Sequence, residues 1–383
     1  MFLLLGLGLQ TIASISNVEA VRQSHAAYHF ISMQSVFAVA GLIMGFVVMC
    51  VRPSFWFRPR TIAILAVLIL IGIVAPHLPV IGHASKGAAR WIRLGPISVQ
   101  PSEFIKLAAI VATSWWAGVR ARDMRTFREG ILIPGLAIGA IAVGLFFQHD
   151  LGSIVLLLTV NGTILYLAMA KFRHIFLCGL VALVAIGIWV AHSPERMSRI
   201  TSVWGREDVE LSAEDAATRK DDTHQKDMSI LSIRRGGMTG QGLGNSEGKQ
   251  KYLPEAHTDF ILAMVGEELG FAGTASVLAL FFVVFACGLE IAGRANGLPR
   301  KLLAFGMTLH LTVSALVNIG VVSGILPTKG LALPFLSYGG SNLVASCIAI
   351  GFLMGVGLRP DAAPEKSREQ PSRSRKPTNI WNV

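Results

Sequence analysis

The residue best placed to do chemistry in this chain is an acid at the mouth of a long apolar run. Asp259 sits near the end of the tract Leu253-Pro254-Glu255-Ala256-His257-Thr258-Asp259-Phe260, and the run continues Ile261-Leu262-Ala263-Met264-Val265-Gly266-Glu267-Glu268-Leu269-Gly270. A carboxylate in that setting is costly, which makes it a functional candidate by default. A structural reading competes: Asp before an apolar run is a favoured helix N-cap, and Thr258 could fill the same role.

Other polar residues cluster at the ends of apolar runs. Glu103 and Lys106 are spaced i, i+3 on one helical face, where they can pair with each other or meet a ligand. Asp150, after Gln148-His149 and before Leu151-Gly152-Ser153, reads as a cap rather than a catalyst, and Lys329 falls in a turn before the last run. Glu267 and Glu268 lie deeper: on a straight helix they are roughly 12 Å further in than Asp259, where a charge must be neutral, paired or in a wet cavity. A proton relay would spread acids through the bilayer depth, whereas most of these sit near one surface. The stretch Ser232 to Ser246 is glycine-rich but lacks the strand, helix and G-x-G-x-x-G spacing of a dinucleotide site, so it reads as a flexible loop or a close backbone approach.

The elements that must position these residues are membrane helices. With 52% hydrophobic and 15% charged residues over 383 positions, the chain carries more apolar surface than a soluble domain would hide. Apolar runs of bilayer length start at Phe2, Phe30, Thr61, Ser102, Ile131, Leu151, Ile175, Asp259, Leu302 and Pro334, predicting an all-α polytopic membrane protein of about ten transmembrane helices. The first run is short and hard against Met1, which a missing N-terminal segment could explain; Phe2 to Ser16 has no basic n-region, so it reads as a first span rather than a signal peptide. Basic residues follow every even-numbered run: Arg52, Arg58 and Arg60; Arg120, Arg122, Arg125 and Arg128; Lys171 and Arg173; Arg294, Arg300 and Lys301. The positive-inside rule then puts both termini in the cytoplasm, with a disordered basic tail over 359–383. The net charge of +11 is mainly this topology signal, with some attraction to anionic membrane lipid. No single face collects the basic residues, which argues against nucleic acid.

Two segments are left outside. Gly82 to Pro101 carries Lys86, Arg90, Trp91 and Arg93 against the positive-inside trend, which calls either for an anionic partner or for an interfacial Trp anchor beside phosphate headgroups. The large extracytoplasmic loop 193–258, between helices 7 and 8, is the natural substrate or partner loop of the 1–358 membrane domain. Cys50, Cys178, Cys287 and Cys347 all fall in or at the ends of runs, so no disulfide or metal framework is expected.

Five stretches in order carry a resemblance. They are Ala89-Arg90-Trp91-Ile92 with Gln100-Pro101-Ser102-Glu103 and Lys106; Gln148 to Gly152; the glycine-rich loop; Leu253 to Phe260 with Gly266 to Gly270; and Pro334-Phe335-Leu336-Ser337-Tyr338-Gly339-Gly340-Ser341. With them the chain resembles the SEDS family (shape, elongation, division and sporulation), its FtsW division branch more than its RodA elongation branch. It departs from the family pattern at His149 (usually Pro), at His224 (commonly aromatic) and at Asn342 (usually small), and it lacks the N-terminal extension common in the division branch.

The resemblance implies a peptidoglycan glycosyltransferase of the bacterial inner membrane, with its cleft facing the periplasm. The 4-hydroxyl of one lipid II sugar, or of the nascent glycan strand, attacks the anomeric carbon of another lipid-linked sugar, expelling undecaprenyl pyrophosphate with inversion. It implies Asp259 as the catalytic base. Arg90, Lys106, Glu103, Trp91, Gln100, His257, Lys329 and Ser337 are expected around the substrate, Arg90 and Lys106 neutralising phosphate. A divalent cation, Mg or Mn, could share that neutralisation, although no metal-ligand spacing is visible. The implied partners are a class B penicillin-binding protein and other divisome membrane proteins. Rival readings are a lipid II flippase and a non-catalytic scaffold that activates a transpeptidase.

Overall fold

A computed structural model of the chain describes residues 1–22, 28–79, 81–85, 88–95, 97–191, 213–246, 258–326 and 331–359. Its apolar helices are α1 Phe2–Arg22, α2 His29–Cys50, α4 Pro59–Val74, α5 Pro101–Val119, α6 Ile133–Phe147, α7 Leu151–Leu167, α8 Phe172–Ala191, α10 Ile261–Arg294, α11 Leu298–Val322 and α12 Gly340–Leu358. A short α3, Pro53–Trp56, turns the chain between α2 and α4, and α9, Ala213–Gly236, lies in the large loop. Among the described residues six helices are long and apolar enough to cross a membrane, and three shorter apolar stretches accompany them. Leu70, Leu136, Leu183 and Phe282 remain exposed on the protein, as lipid-facing side chains do.

The core lies where α5, α7, α11 and α12 meet, around Ile110, Ile164, Leu303, Met307 and Leu353. Tight packing of α2 on α12 comes from small residues: a Cβ at Gly45 would lie 2.6 Å from the Cys347 carbonyl oxygen, and one at Gly351 would lie 2.3 Å from that of Gly45. Close backbone approach of this kind is how helices associate in lipid, where burial of apolar surface gives no net drive.

Two elements depart from the all-helical expectation. Gly82–Ser85, Ala88–Leu94 and Ile97–Val99 form a three-stranded antiparallel sheet, β1-β2-β3, with Ile92 opposite Gly82 and Val99. A sheet satisfies the backbone of this segment outside the helices, and β-branched and aromatic residues suit it. The last run, expected from Pro334, begins as helix only at Gly340. Pro334 to Gly339 instead form a turn in which Phe335 has φ 67°.

Candidate active site

Asp259 lies in the turn leading into α10 and is half-buried. The helix begins at Ile261, which puts Phe260 rather than Asp259 at the N-cap position. What fixes this turn is an asparagine on α11: Asn318 Nδ2 donates to the Asp259 carbonyl at 2.9 Å and to the Leu331 carbonyl at 2.8 Å. Asn318 is buried in the last turns of α11, and an amide side chain within an apolar run was the sequence signal that could have found it.

Glu103 and Lys106 form a buried ion pair at 2.9 Å on the first turns of α5, only 5% and 2% exposed. The second carboxylate oxygen of Glu103 accepts from Asn342 Nδ2 at 3.4 Å, so the asparagine at the unusual position 342 is tied into this cluster. His310 on α11 lies within electrostatic reach of Lys106, and its Nδ1 is buried without a hydrogen-bond partner. His310 and Asn318 are eight residues apart on one helix. That sets the Lys106 level and the Asp259 turn roughly 12 Å apart along α11, one scaffold serving both.

Gln100 and Ser337 are engaged in holding the fold. Gln100 Nε2 donates to Asp150 Oδ2 at 3.2 Å, and the Gln100 backbone N–H donates to Ser341 Oγ at 2.8 Å. Ser337 Oγ accepts from the Leu333 N–H at 2.8 Å, while its carbonyl accepts from Gln34 Nε2 at 3.1 Å. Both are expected at the substrate, and the bonds they make within the fold close the turns around α5 and α12. Asp150 is a cap, as read: Oδ1 accepts from the Ser153 N–H at 3.2 Å, and Oδ2 accepts from the hydroxyls of Ser102 and Ser153 at 2.8 Å each. The preceding His149 has φ 57°, a conformation closed to proline, which accounts for a different residue at that position.

Arg90 and Trp91 are neighbours on β2 at a bulge: Trp91 lies opposite His83 and Ala89 opposite Ala84, so Arg90 is the extra residue between them. Arg90 Nε is buried without a hydrogen-bond partner, an unmet donor suited to an anion. His257 and Lys329 lie outside the described residues. Among the described residues no group of three His, Cys, Asp or Glu side chains is placed to hold a metal ion.

The glycine-rich stretch is ordered by α10, which corrects the flexible-loop reading. Inside α10, Gly270 adopts φ 68° and ψ −162°, breaking the helix. Four backbone bonds close the gap: Gln241 N–H to the Glu267 carbonyl (3.0 Å), Gly242 N–H to that of Glu268 (3.0 Å), Phe271 N–H to that of Gly237 (2.8 Å) and Ala272 N–H to that of Met238 (3.2 Å). A Cβ at Gly240 would lie 2.2 Å from the Glu268 carbonyl oxygen, so only glycine permits the approach. Beyond the break, Phe271 to Arg294 is roughly 36 Å long at 1.5 Å per residue, enough to cross a bilayer alone. The depth that a straight helix gives Glu267 and Glu268 therefore does not apply. Glu267 Oε2 accepts from Ser246 Oγ at 2.6 Å, and Glu268 Oε1 accepts from Ser14 Oγ on α1.

The Cell cycle protein family of FtsW, RodA and SpoVE matches residues 1–359. The chain belongs to this family. Among family members, the probable peptidoglycan glycosyltransferase FtsW of Geobacter sp. (strain M18) is 38% identical over 92% of this chain and 93% of its own length. That of Legionella pneumophila is 34% identical, covering 94% of this chain and 91% of its own length. Thermus thermophilus RodA has the same fold, with TM-score 0.65 at 22% identity over 94% of this chain and 95% of its own. A chain from a peptidoglycan synthase complex coordinating polymerization and crosslinking gives TM-score 0.68 at 23% identity, covering 93% and 97%. The chain is thus a multi-pass membrane protein of the FtsW/RodA/SpoVE family.

Proposed function

We propose that this chain is a peptidoglycan glycosyltransferase of the division type, polymerising lipid II at the outer face of the inner membrane. The observation that carries this is the likeness to FtsW glycosyltransferases over more than nine-tenths of both chains, with an acid fixed at the end of α10. Asp259 takes the proton from the attacking 4-hydroxyl as the new bond forms at the anomeric carbon and the bond to pyrophosphate breaks. Arg90 supplies its unmet donor to the departing phosphate. Lys106 is buried and already neutralises Glu103, so its part is to hold a fixed charge on the first turns of α5.

A lipid-linked substrate also needs an apolar berth. One and two helical turns beyond Lys106, Ala109 and Thr113 open onto a cleft of about 480 Å³ between α4, α5 and α6, walled by Ile69, Trp116 and Ile138. Its lining suits a prenyl chain. A class B penicillin-binding protein is the partner we propose, in keeping with the fold shared with the synthase-complex chain.

The test uses purified protein, alone and with its cognate class B penicillin-binding protein, given labelled lipid II, with products resolved on a gel. Wild type forms polymer and Asp259→Asn loses at least about 100-fold, the scale of a general base. Equal polymer from both removes the base assignment. Lipid II translocation in liposomes that survives Asp259→Asn, without polymer from wild type, supports the flippase instead.

A further inference from the structure

At the basic face of the molecule, away from the proposed active site, the turn between α7 and α8 and the segment before α6 enclose a cleft of about 590 Å³. Arg125, Tyr166 and Lys171 line it. Its two cations are not used by the fold. Glu129, the nearby carboxylate, is taken by Arg120 at 3.6 Å and Arg128 at 4.0 Å, and among the described residues neither Arg125 nor Lys171 pairs with an acid.

The cleft adjoins an apolar groove of about 390 Å³ between α6, α7 and α8. Neighbouring residues line the two: Leu165 of the groove precedes Tyr166 of the cleft, and the N–H of Ile175, on the groove wall, donates to the Lys171 carbonyl at 3.4 Å. Phe127, edge-on to His174 with ring centroids 5.2 Å apart, closes the side. The groove is floored by Gly135, Gly139, Gly162 and Gly179, and a Cβ added at any of them would meet nothing within 4 Å. Internal packing therefore does not require glycine there; what the glycines leave is an open channel.

We propose that these two cavities form one binding site for an anionic phospholipid of the leaflet at the basic face. Its phosphate lies between Arg125 and Lys171, Tyr166 offers a hydroxyl to the headgroup, and one acyl chain runs along the glycine groove. Two unpaired cations above a lipid-facing channel match a ligand that is charged at one end and apolar for the rest. A zwitterionic lipid fits the groove but brings its own cation to the cleft, and free phosphate has nothing to place in the groove.

Native mass spectrometry of the full-length chain in detergent, titrated separately with phosphatidylglycerol, phosphatidylcholine and inorganic phosphate, tests this. Phosphatidylglycerol is expected to be retained at least about 10-fold more tightly than phosphatidylcholine. Arg125→Gln with Lys171→Gln should weaken it about 30-fold, from the loss of two basic contacts at an anionic surface. Arg58→Gln with Arg60→Gln, removing the same charge from another turn, should leave it unchanged. Gly139→Leu fills the groove without touching the cations, and should abolish lipid retention while the melting temperature holds or rises. Equal loss from the Arg58 and Arg60 pair would overturn the proposal, since bulk charge would then be the cause. So would phosphate binding as tight as that of the lipid and indifferent to Gly139→Leu.

Discussion

Asp150 and Asp259 are both acids before an apolar helix, and the structure separates them by what their surroundings ask of them. Asp150 is buried and accepts from two hydroxyls, a backbone N–H and an amide, so Asp150→Ala should cost about 2 kcal/mol of stability, read from thermal unfolding in detergent. Asp259 lies one residue before the cap position, Phe260, and Asp259→Asn keeps the side chain's size and one acceptor oxygen, so the melting temperature should stay nearly unchanged while polymer formation falls. For the Glu103–Lys106 pair, Lys106→Met strands a buried carboxylate and should cost about 3–5 kcal/mol, most of it recovered when Glu103→Leu is added. Polymerase activity that returns with stability in the double variant would show that Lys106 makes no essential contact with phosphate. The pairing was legible from i, i+3 spacing. The roles of Asn318 and Asn342 were not, because each bonds a residue more than 50 positions away in sequence.

At the scale of elements, the break in α10 explains why a polar, glycine-rich stretch and an apolar helix occur together. A helix interrupted in a low-dielectric setting leaves backbone groups unpaired, and such breaks persist only where other protein groups satisfy them. Residues 237–242 do so, tying α9 to the segment that carries Asp259. Gly270→Ala forces a side chain into φ 68° and within 2.4 Å of the Gly240 backbone nitrogen. It should lower stability by about 1–3 kcal/mol and reduce the polymerisation rate at saturating lipid II more than it weakens lipid II binding. Gly293→Ala, in the same helix with open space at its Cβ, should do neither. The sequence read this loop as flexible because glycine content reports conformational freedom in the unfolded chain; the partner that removes the freedom is invisible until α10 is in place.

At the scale of the whole molecule, the sheet and the basic turns belong to opposite faces, which cysteine labelling can check. In a variant without the four native cysteines, Ser98→Cys should react with a membrane-impermeant maleimide from outside the cell, and Arg122→Cys only after the membrane is opened; the reverse pattern would invert the proposed orientation. The membrane class, the order of the apolar runs and the basic turns were determined by the sequence itself. They depend on composition and on local periodicity, which act within a helix's own length. The tertiary structure alone decided that the outward segment after α4 is a sheet and that α10 is broken at Gly270. It also decided which distant groups Gln100 and Ser337 bond, and that α11 carries both the asparagine that holds the Asp259 turn and a histidine near Lys106. These outcomes depend on which distant backbone groups and side chains can reach one another to satisfy hydrogen bonds and buried charge, and only packing sets those distances.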